Sequence, residues 1–178
     1  MQYYALGLAV LCGVALLGAG PARAADTAKA PVTLINDNGT GQEIGFITFS
    51  DGPDALEIAV DLTGLPAGEH GLHIHEKGDC GPAQQDGKMT AGMAAGGHYD
   101  PANTGTHQGP DSDKGHKGDL PKITANADGT VKMNLRAPHL KVADIKGRSV
   151  MVHAGGDNYS DQPPMGGGGA RIACGVIQ

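Results

Sequence analysis

Apolar and polar positions along this chain fall into short blocks rather than long periodic runs. Residues 32–36, 43–49 and 56–62 are brief, rich in β-branched or apolar side chains, and bounded by turn chemistry. The separators are Asp37-Asn38-Gly39 and Asp51-Gly52-Pro53-Asp54, whose residues supply positive φ, fixed φ or local side-chain hydrogen bonds. A fourth block, residues 69–76, follows Pro66-Ala67-Gly68. Regularity then stops. Residues 77–120 are crowded with Gly, Pro, Asp, Lys and His and show no sustained period. Strand patterns return at 122–126, 130–135, 149–153 and 170–177, with a glycine-rich loop at 154–169. Eight short strands with almost no helical period predict an all-β fold, a sandwich or barrel with two long loops. A structureless loop the length of 77–120 fits a compact domain only if something pins it. It contains Cys80, His98, His107, His116 and Asp119, so it carries its own anchors.

The first stretch reads differently. Residues 5–19 are almost purely apolar, followed by Gly20-Pro21 and Ala22-Arg23-Ala24. An apolar run ending in an A-x-A triplet predicts a secretory signal peptide over residues 1–24, leaving a single domain over 25–178. The start, Met1-Gln2-Tyr3-Tyr4, lacks the usual basic residue. An uncleaved anchor is disfavoured because a bilayer core of about 30 Å needs about 20 apolar residues. Lipidation at Cys12 is disfavoured by the large Leu11 before it. An exported location is expected, with no stable membrane partner.

Cleavage changes the balance of charge and of cysteines. The whole chain has 13 Lys and Arg against 19 Asp and Glu, a net charge of −6, and the leader removes Arg23 but no acid. With no basic patch, nucleic acid is excluded as a partner. Only Phe46, Phe49, Tyr99 and Tyr159 supply aromatic bulk to the mature part, and a core so poor in large side chains gains from cross-links and metals. Cys12 leaves with the leader, and Cys80 and Cys174 remain. In an exported protein such a pair reads as a disulfide.

All eight histidines lie in the mature region. His73 and His75 flank Ile74 in a strand, so they share one face while Leu72 and Ile74 turn to the core. They are well placed to hold one metal ion. His70 has the opposite parity and reads as a structural histidine bonded to backbone. His153 ends the strand carrying Val150 and Val152 and points away from their core face, as a third ligand on the outside. In the long loop, His107 with His116 and Asp119, the last two spaced H-x-x-D, form a second set. Imidazoles with one carboxylate suit zinc, and an all-imidazole set with an open position suits copper. His139 stands apart and reads as an exposed loop residue. Taken singly each histidine is ordinary; together they predict a metalloprotein with more than one metal, without naming the reaction.

The segments His70-Gly71-Leu72-His73-Ile74-His75-Glu76, Gly97-His98-Tyr99-Asp100-Pro101, His116-Lys117-Gly118-Asp119-Leu120 and the run from Gly168 to Ile177 resemble the signature segments of Cu/Zn superoxide dismutases. The stretch from Gly155 to Asp161 and the insertion between Cys80 and His98 resemble the bacterial periplasmic branch. The resemblance runs from Val32 to the C-terminus. It implies an eight-stranded Greek-key β-barrel and the dismutation of superoxide to oxygen and hydrogen peroxide. Copper would cycle between Cu(II) and Cu(I), and zinc would be its structural partner.

Residue by residue, it implies that His73, His75 and His153 bind copper and that His98 is shared by both metals. His107, His116 and Asp119 would complete the zinc site. Asp157 would be the acid that bonds ligands of both sites, and Cys80 and Cys174 would tie the long loop to the last strand. Arg171 and His98 would act in catalysis, with Arg171 beside the open copper position. Lys77, Lys88, Lys114 and Lys117 are the candidates for steering an anion in a chain that is acidic overall. Monomer and homodimer both remain open. The competing function is a non-enzymatic copper/zinc carrier on the same scaffold, whose mark would be a missing ligand or a lost arginine; here every ligand position and Arg171 are present.

Overall fold

The structure is a computed structural model that describes residues 1–2 and 24–178. The expected leader and Cys12 therefore lie, but for its ends, outside the described residues. Strands follow in chain order as β1 (Thr27–Asn36), β2 (Gly39–Asp51), β3 (Leu56–Leu62), β4 (Gly68–His70), β5 (Leu72–His75) and β6 (Ala83–Gln85). After these come β7 (Lys88–Thr90), β8 (Ile123–Ala125), β9 (Val131–Ala137), β10 (Ser149–His153) and β11 (Arg171–Val176). The α1 turn, Val142–Ile145, precedes β10.

A seven-stranded antiparallel sheet runs β5-β10-β11-β1-β2-β3-β9. The block expected as one strand at 69–76 is split at Gly71: β5 stays in this sheet, while β4 turns to pair with β8. From β8 the chain enters β9 through a tight turn in which the Asn126 amide donates to the Thr130 carbonyl at 2.9 Å. The far edge of the sheet is thereby joined back to the near one, and the eight expected strands curl into a Greek-key barrel.

Side-chain alternation fills that barrel. Leu56, Ile58, Val60 and Leu62 of β3 point inward, as do Leu72, Ile74, Val150 and Val152. Phe49 is fully buried, whereas Phe46 on the opposite face is 38% exposed beneath the ammonium of Lys29. The other face of β5, β10 and β11 is covered not by solvent but by loop. There Met151, Ile35, Ala91, Ala95 and Cys174 make a second, smaller core.

Two parts of the chain depart from the expectation. The 77–120 segment is not wholly irregular, because β6 and β7 form a hairpin across Asp86-Gly87. Both turn residues have positive φ, 52° and 79°, which is the geometry an Asp-Gly pair provides in a two-residue hairpin. The segment before β10 also closes one helical turn, started where Asp144 Oδ2 accepts from the Lys141 amide at 2.9 Å.

Candidate metal centre

The site is built on an edge strand. β5 pairs with β10 on one side, placing Met151 opposite His73 and Ser149 opposite His75. Its other side is taken by the two ends of the long loop. The Tyr99 amide donates to the Ile74 carbonyl, the Ile74 amide to Gly118, and the Gly118 amide to Tyr99, each at 2.8 Å. These bonds bring His98 against His75 and Asp119 against His73. Gly118 is required there, since a Cβ would collide with the Ile74 carbonyl and meet the Tyr99 amide nitrogen at 2.9 Å.

Six histidines and two aspartates are gathered in this way. His73, His75, His98, His107, His116, His153, Asp119 and Asp157 are all at most 6% exposed. The sequence places His73, His75 and His153 on the outside of the sandwich. They do lie on the outer face of the sheet, yet they are buried, because the loops roof that face. The His73 and His98 rings stack at 3.9 Å between centroids, and His153 meets His73 edge-on at 4.8 Å.

Four of the rings, His73, His75, His107 and His153, are fixed by one nitrogen and offer the other. His73 Nε2 lies 2.8 Å from Asp157 Oδ2, and His107 Nε2 lies 2.8 Å from Asp157 Oδ1. His75 Nδ1 donates to the Gly96 carbonyl at 3.0 Å and His153 Nδ1 to the Gly169 carbonyl at 3.2 Å. The remaining nitrogens are buried with no hydrogen-bond partner among the described residues: Nδ1 of His73, Nε2 of His75, Nδ1 of His107, Nδ1 of His116 and Nε2 of His153. Buried polar atoms left this way are costly unless something binds them.

Their ligand atoms fall into two groups, each mutually within 4.8 Å: His73, His75, His98 and His153, and His73, His98, His107 and Asp119. His107 Nδ1 comes within 2.9 Å of Asp119 Oδ2, and His116 Nδ1 within 3.4 Å of Asp119 Oδ1. Neither approach has hydrogen-bond alignment. Close but misaligned donors are what two ligands aimed at one cation look like. The all-imidazole group fits copper, and the imidazole–carboxylate group fits zinc.

Charge follows the same division. Burial holds His73, His75 and His153 below the usual imidazole range, and His98 is brought down to about 4 by burial and by its neighbour His73. These rings are neutral at pH 7 and keep a lone pair. Burial also disfavours charge on His107, but the two carboxylates beside it, Asp119 and Asp157, prevail and raise it to about 9. Burial alone would raise Asp119 and Asp157; the histidine rings around them instead hold both well below the carboxylate range. A fixed anionic pair in a buried pocket suits a cation, and a metal bound there would take the place of the proton on His107.

A cavity of about 430 Å³ opens over His98 and His153 and is lined by Arg171. The guanidinium is held by two carbonyls, Nη1 donating to Gly92 at 2.7 Å and Nη2 to Gly96 at 2.8 Å. Gly96 is thus a shared acceptor for Arg171 and His75, a role the sequence does not announce; the only signal is the Gly96-Gly97 pair before His98. Cys80 and Cys174 are bonded, with Cα atoms 5.7 Å apart. His70 bridges backbone, 2.7 Å from the His153 carbonyl and 2.8 Å from that of Pro66. His139 is exposed, and its ring approaches the Asp111 carbonyl at 3.3 Å. None of the steering lysines lines the cavity, and Lys117 is paired with Asp144 at 2.9 Å.

Comparison with known proteins agrees with this chemistry. The profile of the family described as Copper/zinc superoxide dismutase (SODC) matches residues 43–177. The Superoxide dismutase [Cu-Zn] of Brucella abortus is 56% identical over 142 residues, spanning 79% of this chain and 82% of the relative. The solved Cu/Zn superoxide dismutase from Brucella abortus superimposes with a TM-score of 0.83 at 51% identity, covering 86% of this chain and all of that one. A solution structure of the monomeric copper, zinc enzyme from Salmonella enterica gives 0.77 at 47% identity with the same coverage.

Proposed function

Because the chain belongs to the copper/zinc superoxide dismutase family, we propose that His73, His75, His98 and His153 hold its copper. On the same reading His98, His107, His116 and Asp119 hold its zinc. The protein converts two superoxide anions and two protons into oxygen and hydrogen peroxide. Copper, when bound, supplies the one-electron couple between Cu(II) and Cu(I), and zinc supplies fixed charge without redox chemistry. The observation that carries the assignment is the set of five buried ring nitrogens that have no partner among the described residues.

The chain's own residues do the rest. His98 Nδ1 faces Asp119 at 2.9 Å, which leaves Nε2 toward the all-imidazole group as the atom that holds and releases the proton peroxide needs. Asp157 keeps Nδ1 of His73 and of His107 turned inward. Arg171 presents a guanidinium that stays charged despite burial, with fixed donors for a small anion. Its two carbonyl anchors hold it at the cavity wall.

Electron paramagnetic resonance of the Cu(II)-loaded protein tests the ligand set. Superhyperfine splitting from several imidazole nitrogens is expected, reduced in His75→Ala. A spectrum dominated by oxygen ligands contradicts the assignment.

Residues 1–24 are cleaved and the domain 25–178 acts in the periplasm. This is supported by the apolar run with its A-x-A end and by a disulfide pair that needs an oxidising compartment. N-terminal sequencing of exported protein should begin at Ala25. One chain supplies every proposed ligand, Arg171 and the disulfide, and the Salmonella relative is described as monomeric. A monomer is therefore the unit expected by light scattering.

A further inference from the structure

The cavity over His98 and His153 contains two side chains that the dismutation chemistry does not use. Met93 and Met165 both line it, together with Arg171. They come from different loops: Met93 begins the 3-10 turn Met93–Ala95, and Met165 lies in the turn Pro164–Gly167. Hydrophobic packing does not account for them. Met165 is 44% exposed, and among the described residues the other large apolar side chains so exposed are Met1, Phe46 and Met89. Met93 is half-buried.

The backbone at Met165 is also unusual. It sits at φ 53° and ψ 43°, the left-handed region where a Cβ crowds the following carbonyl and glycine is the normal occupant. Residues 166–169 are all glycine, so the one position of this turn that carries a long side chain is held in the strained conformation. Strain of that kind persists where the surroundings and the function demand it.

Both thioethers are mounted on segments that end at the candidate ligands. The Met165 carbonyl accepts from the Gly168 amide at 3.2 Å, and a Cβ on Gly168 would lie 3.2 Å from the His153 ring. The Met93 carbonyl accepts from the Gly96 amide at 3.2 Å, and Gly96 in turn holds His75 and Arg171. Thioether sulfur is soft and mobile. It selects Cu(I) over zinc and over hard cations, whereas the deeper ligands are imidazole and carboxylate.

We propose that Met93 and Met165 form a Cu(I)-capture site in the cavity, from which copper passes to the imidazoles of His75, His98 and His153. The transfer is ligand exchange: copper–sulfur bonds break, copper–nitrogen bonds form, and no electron moves. The inference rests on the copper assignment above, which it supplements with a route of entry and a means of excluding zinc from that route.

The test uses zinc-loaded, copper-free mature protein in three forms: wild type, Met93→Leu/Met165→Leu, and the control Met89→Leu, an exposed methionine outside the cavity. Cu(I) is offered anaerobically as its coloured bicinchoninate complex and uptake is followed by loss of colour, with Cu(II) uptake measured in parallel. The double variant should take up Cu(I) at least about tenfold more slowly, since losing even a single supporting interaction costs a metal site that much. Its Cu(II) uptake and final copper content should match wild type, and Met89→Leu should be unchanged throughout. X-ray absorption of wild type trapped early should show copper–sulfur scattering that the double variant lacks. Equal Cu(I) rates in the double variant and wild type would overturn the proposal, as would equal slowing for both oxidation states. A wild-type protein that binds no copper at all would overturn the histidine assignment itself, and the capture site with it.

Discussion

Nε2 of His73 and Oδ2 of Asp157 lie 2.8 Å apart, both side chains fully buried. The other oxygen of the same carboxylate meets His107, a member of the second metal group. One side chain therefore sets the tautomer and orientation of a ring in each group, and its negative charge is balanced only when cations are present.

Asp157→Asn separates these functions with little change of size. The amide offers only one acceptor oxygen, so one ring loses its partner. Zinc affinity should fall by about 10-fold to 100-fold, the usual cost of removing an outer partner of a ligand. Competition with a chromophoric chelator measures it, and unchanged affinity would show that Asp157 is incidental.

Gly166→Ala should reproduce that phenotype without removing a polar group. Its Cβ would overlap Asp157 Oδ1 and come within 2.9 Å of His107 Nε2. The position also has φ 66°, so some stability is lost through backbone alone. Gly147→Ala isolates that term, since Gly147 has φ 81° and open space around it. Thermal melts should drop in both variants, by about 1 kcal/mol in Gly147→Ala. Metal affinity should drop only in Gly166→Ala.

Arg171 is expected to act on the substrate rather than on the metals. Arg171→Ala should lower kcat/KM by about tenfold or more, the value of a lost charged hydrogen bond, with copper and zinc content unchanged. Arg171→Lys should recover part of the salt dependence but not the full rate. A single ammonium lacks the planar fork whose two nitrogens reach Gly92 and Gly96 separately, so it cannot be held at the cavity wall in the same way. Stopped-flow assays across ionic strength distinguish the two effects.

Much of the fold is legible in local sequence. The strands at 56–62 and 149–153 have the expected bounds, because short apolar blocks between strong turns leave little freedom. The parity of His70 against His73 and His75 separates the backbone-bonded ring from the rest. Other features depend on long-range contacts. In 69–76 the isolated Gly71 is the one local mark of a break, and it does not show that β4 and β5 take different partners, β8 and β10. Burial of the outer-face histidines depends on loop residues far along the chain. The Asp86-Gly87 hairpin is the exception: its turn signal is present but lies in a segment with no strand period around it.

The Cys80–Cys174 bond closes a loop with a sequence separation of 94 residues. Chain entropy for a loop of that length contributes about 4 to 5 kcal/mol. The paired change to serine should therefore lower the melting temperature of the metal-loaded protein by roughly 10 to 20 °C. Calorimetry with and without reductant should give the same shift, and a negligible shift would mean that the metals alone pin the loop.

The most direct measurement is superoxide dismutation by the purified mature protein reconstituted with copper and zinc, beside His153→Ala and a copper-free sample. Fast activity that needs copper and is lost with His153 is the result predicted by the ligand assignment. Full activity in His153→Ala would contradict it, as would an inactive wild type that has bound both metals.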